Sequence, residues 1–192
     1  VMPEATHQII APHSFVTATA DVKSLGLSHL SLGAKLHLRQ PDAVSHCATY
    51  AEIDFNGTSG FVPHAHIMPL SAGCDDWVAV AESLIGSPYR WGGRASTGLD
   101  CSALVQLALA VAGKPVPRDS GPQHDIGKAL QGIDDLQRGD LVFWAAHVGI
   151  MQDGYRLLHA NAHHMAVASE PLSVASRRIA TIAGPITALR RP

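Results

Sequence analysis

Residues 101–112 read Cys-Ser-Ala-Leu-Val-Gln-Leu-Ala-Leu-Ala-Val-Ala, polar only at Ser102 and Gln106, and Gly113 and Pro115 close the run. A helix apolar almost all round cannot lie on a surface, so it demands other elements to cover it on several sides. Two kinds of cover are visible. Upstream, Asp75-Asp76 offers N-cap side chains, and Trp77, Val80, Ala81 and Leu84 recur at helical spacing until Gly86 and Pro88. Downstream, segments 140–144, 147–151 and 155–160 have the length and apolar content of strands. Helices first and sheet after is the α+β pattern. Between them lies a polar, Pro- and Gly-rich stretch at 114–139, with a helix expected near 123–130.

The first third reads differently. Short, β-branched runs at 15–19, 35–38 and 48–55 are punctuated by Gly26, Gly33, Pro41-Asp42 and Asn56-Gly57, the sign of a small antiparallel barrel with its best hairpin at Asn56-Gly57. The small residues at 71–74 mark a boundary, giving expected domains at 1–74 and 75–192. The charge balance narrows the partners: 14 Lys+Arg against 16 Asp+Glu leaves no basic field for nucleic acid or anionic lipid. No run of 18 apolar residues would span a bilayer. Without a visible export signal, the expected compartment is the cytoplasm ahead of the periplasm. Cys47, Cys74 and Cys101 are too few for a disulfide scaffold, and whether Cys47 and Cys74 pair stays open.

Cys101 opens the buried helix, where unpaired N–H groups and the positive end of the helix dipole favour a thiolate. A lone buried cysteine is usually structural. Here Gly92-Gly93 and Gly98 precede it, Asp100 and Ser102 flank it, and two later histidines can supply a base and its orienting partner. His147 and His159 lie on successive strand segments, and the loop between those segments decides whether they meet. A two-residue turn at Asp153-Gly154 puts them on opposite faces; a three-residue loop at 152–154, with Gly154 left-handed, sets them directly opposite on one face. The second register is the expectation. His64 with His66, and His163 with His164, lack a second ligand cluster at metal spacing, so no metal is expected. Trp77, Trp91 and Phe143 are read as core or groove wall.

The runs Gly86-Ser87-Pro88-Tyr89-Arg90-Trp91-Gly92-Gly93, Gly98-Leu99-Asp100-Cys101-Ser102-Ala103-Leu104-Val105-Gln106, Gly139-Asp140-Leu141-Val142-Phe143-Trp144, His147-Val148-Gly149-Ile150 and His159-Ala160 together resemble the NlpC/P60 cell-wall cysteine peptidases. Ser59-Gly60-Phe61-Val62-Pro63-His64-Ala65-His66-Ile67 is similar to the closing segment of bacterial SH3-like domains, which often precede the catalytic domain in that family. The resemblance implies an α+β, papain-like catalytic domain behind a small all-β SH3-like barrel. It implies hydrolysis of peptidoglycan stem peptides, at the γ-D-glutamyl–diamino acid bond, through a thioester and without a cofactor. By position, Cys101 matches the nucleophile, His147 the base, His159 its orienting residue and Tyr89 an oxyanion donor. Asp100 and Ser102 match positions that meet a substrate's free amino end, and Arg94 could meet a substrate carboxylate. Ala103 departs from a frequent glycine without touching the triad. Two other readings stay open: a non-catalytic wall-binding module, and an amidase or acyltransferase on the same scaffold.

Overall fold

The computed structural model describes residues 3–39 and 50–192, which fall into two compact units, Val1–Cys74 and Asp75–Pro192. Pro41, Asp42, Cys47, Ala48 and Thr49 lie outside the described residues.

In the first unit the described strands are β1 (His7–Ile9), β2 (His13–Thr17), β3 (Gly26–Ser31), β4 (Lys35–Leu36), β5 (Tyr50–Phe55), β6 (Thr58–Pro63) and β7 (Ile67–Pro69). They form two sheets, ordered β4-β1-β7 and β3-β2-β6-β5, and no closed barrel is seen among the described residues. The β5–β6 hairpin turns on Asn56 (φ 55°) and Gly57 (φ 82°), with Phe55 facing Thr58. Two successive left-handed residues make the tight turn whose twist suits a two-residue hairpin, and Asn-Gly tolerates that conformation best. Ile9, Val16, Leu36, Leu38, Ile53 and Val62 form the unit's buried core.

The second unit contains α1 (Trp77–Glu82), the β8 (Arg94–Ala95) and β9 (Gly98–Leu99) hairpin, α2 (Cys101–Val111), α3 (Ser120–Gln123), β10 (Lys128–Ala129), β11 (Leu141–Trp144), β12 (His147–Met151), β13 (Arg156–Asn161), β14 (Ala166–Pro171), α4 (Leu172–Ala183) and β15 (Ala188–Arg191). Asp76 caps α1 by accepting from Ala79 N–H at 3.2 Å. Six strands form one sheet in the order β10-β15-β11-β12-β13-β14. α2 is the buried helix that its composition requires. It packs on α1 and against β12 and β13, and Leu104, Val105 and Leu109 are fully buried. Each such side chain contributes on the order of 2 kcal/mol. Strand alternation turns Val142, Trp144, Met151 and Leu157 to the other face, where Leu172, Ala175 and Ile179 of α4 cover them.

The helix expected near 123–130 is displaced. Only Ser120–Gln123 is helical, and Lys128 and Ala129 pair instead with Arg191 and Arg190 of the last strand. The chance to extend the sheet outweighs a weak local preference, as tertiary context commonly does.

Candidate active site

The site is built where α2 begins and β12 starts. Asp100 is the N-cap of α2, and its carboxylate accepts from the N–H groups of Ala103 and Gly92, both at 2.9 Å, and from the Ser102 hydroxyl at 3.2 Å. Arg118 closes on it with two parallel bonds, Nη1 to Oδ1 at 2.9 Å and Nη2 to Oδ2 at 2.7 Å, and also reaches Ser102 Oγ and the Gly93 carbonyl. The glycine turn is pulled tight against β9: a Cβ on Gly93 would sit 2.2 Å from the Gly98 carbonyl oxygen, so no side chain fits there.

Cys101 is buried at the first position of α2 and opens into a cavity of about 420 Å³ lined also by Trp91, Ser102, Arg118, Asp119 and Ala146. Burial pushes the thiol's pKa up and the Asp100 charge adds to that, while the N–H groups of Val148, Ser102 and Cys101 itself pull the other way without prevailing. Desolvation and the capping carboxylate thus oppose the thiolate that the helix N-terminus is expected to favour. The Val148 N–H ties the sulfur to β12, one residue beyond His147.

His147 and His159 share a face, as the sequence predicts, but are not directly opposite. The register of β12 and β13 is Ile150↔Leu158 and Met151↔Leu157, so extending it places His147 level with Asn161, two residues from His159. The cause is the turn. Asp153 accepts from the N–H groups of both Tyr155 and Arg156 at 2.7 Å, so the loop starts one residue later than expected, and Gly154 is not among the left-handed glycines. A one-residue displacement of the loop moves the pairing by two, which keeps the face and makes the pair diagonal. Across that diagonal His147 Nε2 lies 2.8 Å from His159 Nδ1. On the next strand, Glu170 sits two residues beyond Ala168, the direct partner of His159, and its Oε1 lies 2.9 Å from His159 Nε2. Arg178 of α4 donates to both Glu170 oxygens.

Burial holds both imidazoles neutral. It lowers His147 to about 3, with the neighbouring His159 and Arg178 adding to the effect. It lowers His159 to about 4, against the opposing pull of Glu170. Burial alone would raise Glu170, but hydrogen bonds from Arg178 and His159 win and hold it at about 2. Tyr89 lines a second groove, of about 480 Å³, with Ala146, His147, His159 and Ile182. Burial and the charges of Cys101 and Asp100 raise the Tyr89 pKa, so its hydroxyl keeps a hydrogen to donate. Ala146 lines both openings and carries a left-handed backbone at φ 59° in the tight turn before His147. Arg94 is exposed on β8 opposite Leu99, and the arginine lining the Cys101 cavity is Arg118.

Arg118, Glu170 and Arg178 escape sequence reasoning. Glu170 reaches His159 only through the β13–β14 register, and Arg178 reaches Glu170 only through the docking of α4. A second hairpin read around 162–165 would have found Glu170. His159, His164 and Glu170 bring potential ligand atoms within 4.8 Å of one another, a grouping that the sequence does not reveal. Both carboxylate oxygens there are already bonded to Arg178, and one also to His159, so the donors are committed to the protein.

A sequence model described as the NlpC/P60 family matches residues 86–181. The chain is 32% identical over 111 residues to a γ-D-glutamyl-L-lysine dipeptidyl-peptidase of Bacillus subtilis, an alignment covering 52% of this chain and 37% of that protein. It is 37% identical over 101 residues to a probable endopeptidase of Corynebacterium glutamicum, covering 51% of this chain and 48% of the relative. The chain thus spans less than half the length of both relatives. Among solved structures, an NlpC/P60 family protein from Bacillus cereus superposes with a TM-score of 0.79 over 98% of this chain and 63% of its own, at 22% identity. The peptidoglycan hydrolase RipB of Mycobacterium tuberculosis superposes with a TM-score of 0.51 over 61% of this chain and 63% of its own, at 26% identity. No helix among the described residues is long and apolar enough to cross a membrane.

Proposed function

The chain belongs to the NlpC/P60 family, and from that premise we propose that it is a cysteine peptidase cleaving the γ-D-glutamyl–diamino acid bond of peptidoglycan stem peptides. The observation that carries this reading is the hydrogen-bonded line from His147 through His159 to Glu170, which begins on the strand whose Val148 N–H touches the Cys101 sulfur. Burial disfavours both the thiolate and the imidazolium, so the reading takes general-base attack: His147 removes the Cys101 proton as the sulfur bonds to the γ-carbonyl carbon. The oxyanion is met by the Cys101 backbone N–H and the Tyr89 hydroxyl. His147 then gives its proton to the departing amine, and water activated by the same ring hydrolyses the thioester. The chemistry uses no cofactor.

Asp100 holds the site together more than it faces substrate, since its oxygens are taken by Arg118, Gly92, Ser102 and Ala103. A substrate's ammonium end is assigned to Ser102 and the exposed Asp119 carboxylate at the cavity rim. Arg94 is assigned to a substrate carboxylate, through a charge-assisted pair. Residues 75–192 are read as the papain-like catalytic domain and 1–74 as an SH3-like domain. The latter assignment rests on Thr58–Pro63, the 3₁₀ turn His64–His66 and the strand Ile67–Pro69.

Mass spectrometry of the products from a defined muropeptide tests the reading. Release of a dipeptide ending in D-glutamate is the expected result. Cleavage between the sugar lactyl group and L-Ala would make the chain an amidase, and an unaltered substrate with an intact Cys101 would favour a wall-binding module.

A further inference from the structure

Glu170 ends the line of buried groups that starts at His147, and it touches no cavity that holds Cys101. Its surroundings come from three elements: Arg178 on α4, His159 on β13, and His164 in the β13–β14 loop, whose Nδ1 is 3.9 Å from Oε1 and 3.0 Å from Asn161 Oδ1. Two guanidinium bonds keep this carboxylate ionised, and an ionised carboxylate can only accept hydrogen bonds. The 2.9 Å contact therefore requires the hydrogen to sit on His159 Nε2. A neutral imidazole carries one N–H, so His159 Nδ1 is bare and must accept. The hydrogen in the 2.8 Å contact between the rings then belongs to His147 Nε2. His147 is neutral as well, which leaves its Nδ1 with the lone pair.

We infer that Glu170, clamped by Arg178, is a positioning residue that sets the tautomers of both imidazoles in series, making His147 Nδ1 the basic atom of the site. With either ring in the other tautomer, a lone pair would face a lone pair or a carboxylate in a buried setting, which low dielectric makes costly. The two-ring relay thus passes orientation, not a net charge, from α4 to the base: no proton moves along it in the resting protein. The consequence for catalysis rests on the peptidase reading above; the tautomers do not depend on it.

Imidazole ¹⁵N NMR of the full chain at neutral pH tests the tautomers, and steady-state kinetics on a stem peptide tests their use. Wild type should show His147 and His159 both protonated on Nε2 and bare on Nδ1. Glu170→Gln should shift the rings toward a mixture of tautomers and lower kcat roughly 10- to 100-fold, the usual effect of losing a partner behind a reacting ligand, with KM unchanged because Glu170 does not touch substrate. Should Glu170→Gln fail to fold, the wild-type spectrum still decides. An Nδ1–H signal on either wild-type ring overturns the inference, as does a folded Glu170→Gln protein with wild-type spectra and kcat. A wild type with the expected tautomers that hydrolyses no stem peptide sinks the peptidase reading alone.

Discussion

His147 Nε2 and His159 Nδ1 are 2.8 Å apart, although their strands set the two residues on a diagonal. The offset lets the rings meet edge to face, at 66° with centroids 5.1 Å apart, so the N–H of one ring points at the nitrogen of the other. His159 is fully buried at this contact, and three consequences of the site's burial and bonding can be measured.

The first is acid lability. The folded pKa values of His147 and His159, about 3 and about 4, lie below the ordinary 6.5, so their contribution to stability is present above pH 6.5 and is lost as pH falls toward the folded values. Between pH 7 and 5 the loss is about 2 kcal/mol per ring. Glu170 is also depressed and its contribution is likewise lost in acid, but lower, between its ordinary 4.5 and about 2. Denaturant unfolding followed by tryptophan fluorescence reads this unit alone, since Trp77, Trp91 and Trp144 all lie in Asp75–Pro192. His147→Asn should remove about half of the pH dependence; equal stability at pH 7 and pH 5 in the wild type would contradict the burial argument.

A second consequence concerns the thiol. Because burial and Asp100 hold Cys101 protonated, its alkylation by iodoacetamide, followed by peptide mass spectrometry, should accelerate with pH to beyond the range of an ordinary cysteine. A fast plateau between pH 5 and 7, the mark of a preformed thiolate–imidazolium pair, would show that the sulfur is ionised at rest.

Arg118 gives the third. Arg118→Ala strips two bonds from the Asp100 carboxylate and one from Ser102, leaving a mostly buried charge without its cation. Partial exposure of the arginine reduces the full cost of a broken buried pair to roughly 2 kcal/mol. The uncompensated Asp100 should also raise the Cys101 pKa further and slow its alkylation at fixed pH. Unchanged unfolding midpoint and unchanged alkylation would mean that the pair is incidental.

Legibility in the sequence followed the range of the interaction. α2 was readable because its apolar run needs no knowledge of partners, and the Asn56-Gly57 turn because its chemistry is local to two residues. The shared face of His147 and His159 followed from parity along two strands. Their diagonal register did not, since it hinges on the Asp153 carboxylate capping the N–H groups of Tyr155 and Arg156. Still further out of reach were Glu170 and Arg178, whose contacts depend on a third strand and on how α4 docks. The strand at Lys128–Ala129 was hidden for the same reason, its partner lying at the far end of the chain.

If the Cys101 sulfur is the nucleophile, Cys101→Ala should be a native-like protein by tryptophan fluorescence and circular dichroism whose hydrolysis of a defined stem peptide is no faster than the uncatalysed background. Product formation at a rate close to wild type would contradict it.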